Sequence, residues 1–137
     1  MLLKVKNDIK EIDRVCTEIK NFCCSNNIEN DKCFDVVIII DELATNIIKY
    51  AFADECDHTF NIIINKKGEK LHIQLLDDGI PFDPLKRSEP DTNSSLEERN
   101  IGGLGIFFAK QLSEQIIYKR AGNKNQLDIF VNLKKEK

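Results

Sequence analysis

Asp31-Lys-Cys-Phe-Asp-Val-Val-Ile-Ile-Ile-Asp-Glu-Leu-Ala-Thr-Asn-Ile-Ile-Lys-Tyr-Ala-Phe52 decides the fold, because its centre admits two readings. Residues 36–40 form a continuous apolar run that fits a buried strand. Val36, Ile40, Leu43, Ala44, Ile47 and Ala51 nevertheless continue one face without a break, at the spacing of three and four that only a helix brings together. The stretch therefore predicts a long helix over 31–52. Asp41, Glu42, Thr45, Asn46 and Lys49 lie on its other side.

Upstream, residues 2–5 read as a short strand and Asn7 as an N-cap. Ile9, Ile12, Cys16, Ile19 and Cys23 then recur at helical spacing, which predicts an amphipathic helix of about five turns. Downstream, Phe60, Ile62 and Ile64 alternate with Asn61, Ile63 and Asn65, and Leu71, Ile73 and Leu75 alternate with His72, Gln74 and Leu76. These are two strands turned at 66–70 around Gly68. Residues 78–100 carry three prolines, many charges and no period. A loop of that length in a compact domain usually has a function. Residues 102–105 open a third helix, and 116–119 with 127–133 close the chain as a hairpin turned at 122–125. Strands joined mainly by hairpins predict an α+β two-layer sandwich, a mostly antiparallel mixed sheet covered on one face by about three helices.

With 137 residues the chain is expected to be one domain, 1–137, able to bury a core without disulfide or metal support. Its net charge of -3 supplies no basic field for nucleic acid. No apolar run reaches the roughly 20 residues of a membrane span, and the start lacks a signal-peptide pattern, so the expectation is a cytoplasmic protein with no membrane association. The five cysteines, Cys16, Cys23, Cys24, Cys33 and Cys56, include no Cys-x-x-Cys pair, and they read as core thiols rather than a metal or disulfide framework.

Three segments carry chemistry. In Glu42-Leu-Ala-Thr-Asn46-Ile-Ile-Lys49 the spacing stands a carboxylate, an amide and an ammonium along one helix flank. That set suits Mg²⁺, which takes few protein oxygens and completes its shell with water and phosphate. It also suits a plain solvated face. In Asp77-Asp78-Gly79-Ile-Pro81-Phe82-Asp83-Pro84, a carboxylate at a strand end can accept a hydrogen bond from the exocyclic amine of adenine, and Gly79 lets the backbone approach a flat ring. The same residues also make an ordinary Asp-Gly turn. In Gly102-Gly103-Leu104-Gly105, glycines before a helix free its N–H groups to face phosphate. No Walker lysine follows, and no Gly-x-Gly-x-x-Gly follows a strand.

In this order the segments resemble the N-box and the two glycine boxes of GHKL, or histidine-kinase-like, ATPases. Glu42-Leu-Ala-Thr-Asn46, the Pro-Phe-Asp-Pro at 81–84 and the Ile-Gly-Gly-Leu-Gly at 101–105 look like the stand-alone anti-sigma-factor serine/threonine kinases of sporulation and stress control. The resemblance covers essentially the whole chain. It implies ATP or ADP with Mg²⁺ as ligands. By the same resemblance, Asn46 holds the metal, Glu42 acts as general base, Lys49 meets a phosphate, and Asp77 holds the adenine amine beside Gly79. Gly102, Gly103, Leu104 and Gly105 cradle phosphates, and residues 85–100 form an ATP lid. The implied partners are a sigma factor or equivalent regulator and a small anti-anti-sigma antagonist of the STAS type, with a homodimer as the working unit. The implied activity is phosphorylation of that antagonist; the alternative is a catalytically silent, nucleotide-dependent switch that sequesters a regulator. One departure stands out: Pro81 occupies the place of the second glycine in Asp-x-Gly-x-Gly. The only histidines are His58 and His72. Neither has a phosphoacceptor setting, and no sensor or phosphotransfer module is expected in this length.

Overall fold

The alternation at 60–64 and 71–75 becomes a sheet with one buried face. In the computed structural model, which describes residues 1–54, 56–86 and 103–134 (backbone alone at 86 and 103–105), the order is β1 (Leu2–Lys6), α1 (Glu11–Ser25), α2 (Asn30–Tyr50), β2 (Thr59–Lys67), β3 (Lys70–Asp77), a short 3-10 turn (Pro84–Lys86), α3 (Gly103–Leu112), β4 (Gln115–Ala121) and β5 (Lys124–Asn132). The five strands lie in the order β1-β2-β3-β5-β4, and all four pairings are antiparallel. The mostly antiparallel expectation thus extends to the whole described sheet.

Both tight hairpins depend on glycine in the left-handed region. Gly68 (φ +59°) turns β2 into β3 and Gly122 (φ +63°) turns β4 into β5, a conformation that costs a Cβ-bearing residue about 1 kcal/mol or more. Those turns set the β2–β3 and β4–β5 registers, and β5 then pairs with β3. Asp77 faces Asn125 across β3 and β5, and Asn125 in turn faces Arg120 across β5 and β4. Three polar residues from three strands therefore stand in one row on one face.

The helices cover that face. Val15 and Ile19 of α1, Ile39 and Leu43 of α2, and Ala109 of α3 share one core with Val5, Ile62, Ile73 and Ile129 of the sheet, each at most 1% exposed. Helix α2 is central, packing against both α1 and α3. Burying each such aliphatic side chain contributes roughly 1.5–3 kcal/mol, which explains why the helical reading of 36–40 wins: it continues the buried stripe from Val36 to Ile47. The opposite sheet face is half-exposed. On it His72, read as an exposed strand position, bonds Asp128 (2.7 Å) and stacks on Phe130 (centroids 4.7 Å).

Two local readings change. Asn7 does not cap a helix, because α1 begins later, at Glu11. Its amide instead donates to the Cys56 carbonyl (3.1 Å) and accepts from the His58 N–H (3.0 Å), tying the end of β1 to the approach of β2. The cysteines are all free, as expected, but only Cys23 is buried, while Cys24 and Cys56 are exposed. Burial, with a hydrogen bond to Cys33 second, pushes the Cys23 thiol up to about 12. Among the described residues no helix is long and apolar enough to cross a membrane.

The one-faced sheet gives a direct test at adjacent positions on β2. Ile64 is fully buried and Ile63 points to the other face, half-exposed. Urea unfolding should show Ile64→Ala losing about 2–5 kcal/mol and Ile63→Ala about 1 kcal/mol or less. Equal losses would contradict the register.

Candidate functional site

Among the described residues the buried polar side chains are Asn46, Asp77 and Asn125, and all three line one narrow recess. Leu43 and Ile47 of α2, Leu75 of β3, Leu127 of β5 and the ring of Phe82 supply its apolar walls. Burying a polar group without a partner costs roughly 1–3 kcal/mol, and among the described residues one of the three, Asn46, has a buried amide nitrogen in that state. Narrow apolar walls with a few convergent polar groups are the usual form of a small-molecule site.

Asp77 is the last residue of β3 and is 6% exposed. Its Oδ1 accepts two hydrogen bonds, from the Gly79 N–H and the Asn125 amide, both at 2.9 Å. No hydrogen bond to its Oδ2 is made among the described residues, and Asp77 lines the recess. Burial pushes the carboxyl above its ordinary range; the bonds from Asn125 and Gly79 pull it back, Asp78 pushes it up and Arg120 pulls it down.

Asn46 sits one helical turn from the end of α2 and is 7% exposed, so the alternative of a plain solvated face does not apply to it. Its Nδ2 is buried with no hydrogen-bond partner among the described residues. An amide with no fixed partner can turn either its oxygen or its NH2 toward a ligand. Glu42, one turn earlier, is half-buried. Its carboxyl is pushed up by burial first and the Asp41 charge second, while Lys49 opposes both. Lys49 itself is exposed and does not line the recess.

Gly79 has a more immediate duty than approach to a ring. A Cβ there would stand 2.1 Å from the Ala51 carbonyl oxygen. The loop after β3 lies directly against the end of α2, and the Ile80 N–H donates to that same carbonyl at 2.8 Å. Gly103, Leu104 and Gly105 form the first turn of α3, which packs on α2. Gly102 and most of the expected lid, 87–100, lie outside the described residues.

Sequence reasoning missed Asn125, Tyr118 and Arg120. Asn125 had been read as the tail of a polar turn. Its Nδ2 donates to Asp77 Oδ1 and to the Ile80 carbonyl (2.7 Å), and its Oδ1 accepts from Tyr118 Oη (2.6 Å), Arg120 Nη1 (3.2 Å) and the Phe82 N–H (3.3 Å). Arg120 also donates to the Gly79 carbonyl at 2.8 Å. The β4–β5 hairpin thus clamps both the acidic residue and the loop that follows it. The Gly122 turn does place Arg120 opposite Asn125, but nothing local to the sequence places Asn125 opposite Asp77.

No group of three or more His, Cys, Asp or Glu side chains among the described residues could hold a metal ion. A dedicated all-protein cage is therefore not what the described residues offer. One amide oxygen completed by phosphate and water does fit the coordination habit of Mg²⁺, and Asn46, whose Nδ2 is held by no partner among the described residues, can offer one.

Three helices on one face of an antiparallel sheet make the two-layer α+β architecture of the histidine-kinase-like ATPase fold. The chain belongs to the histidine kinase-like ATPase domain family, whose profile matches residues 5–130. The Serine-protein kinase RsbW of Listeria monocytogenes serovar 1/2a is 29% identical over 105 residues, 73% of this chain and 67% of that protein. The Serine/threonine-protein kinase BtrW of Bordetella bronchiseptica is 22% identical over 96 residues, 70% of this chain and 68% of that protein. The blue-light activated histidine kinase of Erythrobacter litoralis shares the fold, with TM-score 0.56 and 22% identity over 77% of this chain. This chain spans 32% of that structure's length.

The contact between Gly79 and Ala51 is testable by itself. Gly79→Ala should cost about 1–3 kcal/mol of stability, the usual range for an overpacked site, read from urea midpoints. The added methyl meets backbone rather than a movable side-chain tip. A neutral result would mean that the loop does not lie against α2.

Proposed function

We propose that the recess binds ATP with Mg²⁺ and that the protein transfers the γ-phosphate to a serine or threonine of a small antagonist protein, while sequestering a sigma factor or equivalent regulator in alternation. The observation that carries this reading is the convergence of the three buried polar side chains on one apolar cleft. Membership of an ATPase family and the serine kinases among its relatives support it.

In this reading the adenine ring lies between the apolar walls, and its exocyclic amine donates to Asp77 Oδ2. Asn46 would hold Mg²⁺ through its amide oxygen, and Lys49 would meet a phosphate. The first turn of α3, with Gly103, Leu104 and Gly105, offers N–H groups to phosphate oxygens, as Gly102 does by resemblance. The metal supplies charge neutralisation on the phosphates. The substrate hydroxyl attacks the γ-phosphorus as the bond to the β-bridging oxygen breaks and ADP leaves. Glu42 takes the hydroxyl proton, and a carboxyl pushed up by burial is a better base than a solvated one. Homodimer formation belongs to the same proposal.

A second reading, a silent nucleotide-dependent switch, is favoured by Pro81 in the first glycine box. The two part on Glu42→Gln. With purified antagonist, Mg²⁺ and radiolabelled ATP, phosphotransfer should fall by ~10²-fold or more, with ATP affinity unchanged by calorimetry. Full regulation of the partner by Glu42→Gln would favour the switch. Absence of any transfer by the wild type, despite ATP binding, would remove the kinase.

A further inference from the structure

Asn125 is the most heavily bonded side chain in the recess, and the proposed chemistry gives it no role. The geometry points to Asn125 as the positioning residue that sets base selectivity, by holding Asp77 Oδ1 so that Oδ2 alone is offered to a purine amine. This inference rests on the nucleotide reading of the recess and adds to it the residue that enforces a 6-amino over a 6-oxo base.

The orientation of the Asn125 amide is fixed by its neighbours. Three donors converge on Oδ1: the Tyr118 hydroxyl, the Arg120 guanidinium and the Phe82 N–H. Turning the amide over would set its NH2 against the Arg120 and Phe82 N–H groups and leave the Ile80 carbonyl and Asp77 Oδ1 facing an oxygen. The NH2 therefore points at Asp77. With the Gly79 N–H it directs two donors at Oδ1, which favours the ionised carboxylate in a place where burial opposes it. An ionised Asp77 has only acceptors. It takes a hydrogen bond from the amine of adenine, whereas it meets the 6-oxo group of hypoxanthine with like polarity. The other charged or titratable groups around the pair are Asp78 beside it and Arg120 and Tyr118 from β4.

Two variants separate positioning from packing. Asn125→Leu removes the donor, so Asp77 is more readily protonated, and a protonated carboxyl can donate to a 6-oxo group. Asn125→Asp keeps the shape but opposes two carboxylates, which can share one proton and cannot both ionise cheaply.

Calorimetry with ATP and inosine triphosphate, each with Mg²⁺, supplies the test. The wild type should prefer ATP by about tenfold or more. Asn125→Leu should lose about tenfold in ATP affinity and narrow that preference. Asn125→Asp should bind ATP progressively worse than the wild type as pH rises from about 5 to about 8, a ratio in which titration of ATP itself cancels. If Asn125→Leu does not fold, the near-isosteric Asp variant and the Asp77 carboxyl carbon shift by NMR carry the test; the shift should report a higher titration midpoint than in the wild type. Variants that keep the wild-type affinity, preference and pH profile, beside a wild type that binds ATP, overturn the role of Asn125 and leave the nucleotide reading standing. A folded wild type that binds neither nucleotide overturns both.

Discussion

The hydrogen bond from the Asn125 amide to Asp77 Oδ1 is the interaction around which the recess is organised. An unpartnered carboxylate in an apolar cleft either takes up a proton or destabilises the fold. Asp77 is kept near ionisation by two donors, and each comes from an element that the rest of the fold has to place. The Gly79 N–H is available because the loop after β3 turns sharply against Ala51, where only glycine fits. The Asn125 amide is available because β5 pairs with β3 in one particular register, and because β4 brings Tyr118 and Arg120 to orient it. Two hairpins and the end of α2 therefore meet at a single oxygen atom.

Placing α2 across the sheet then supplies the other half of the site. Its apolar stripe is what anchors it: Val36, Ile39, Ile40 and Leu43 are all at most 1% exposed. Once that stripe is fixed, Asn46 is carried into the recess with no protein partner for its buried Nδ2, and Glu42 is left half-buried one turn away with its carboxyl pushed up. The packing that stabilises the fold thus presents an unsatisfied amide and a perturbed carboxylate on the same helix. Strained or unsatisfied polar groups of this kind cluster where a ligand will relieve them.

Much of this was legible in the sequence, for identifiable reasons. The period of α2 survives an internal run that mimics a strand, since helical spacing continues to Ala51. The period-two alternation of β2 and β3 fixes which face is buried. Asp77 and Asn46 stand out as polar residues next to apolar runs. What could not be read depended on contacts between distant segments. Asn125 sits among polar turn residues, and its burial follows from the pairing of β3 with β5, a register that no local signal sets. The segment around Asn46 admitted both a ligand site and a solvated face, because helical periodicity reports the core face and says nothing of a cleft on the flank. Gly79 was read for its freedom near a ligand, whereas the backbone carbonyl of Ala51, far from it in sequence, fixes it first. Asn7 looked like a cap because Asn caps helices, but the α1 helix starts at Glu11 and the amide serves the loop before β2.

The central claim is that Asp77 is retained for a ligand at a cost to the fold. Because burial raises its titration above that of the unfolded chain, the folded protein loses stability as pH climbs through that raised value. Asp77→Asn keeps an oxygen for the Gly79 and Asn125 donors and removes the buried charge. The decisive measurement pairs the thermal midpoint at neutral pH with ATP titration, on the wild type and on Asp77→Asn. The account predicts that the variant melts higher and no longer binds ATP. A variant that melts lower and still binds ATP would contradict it.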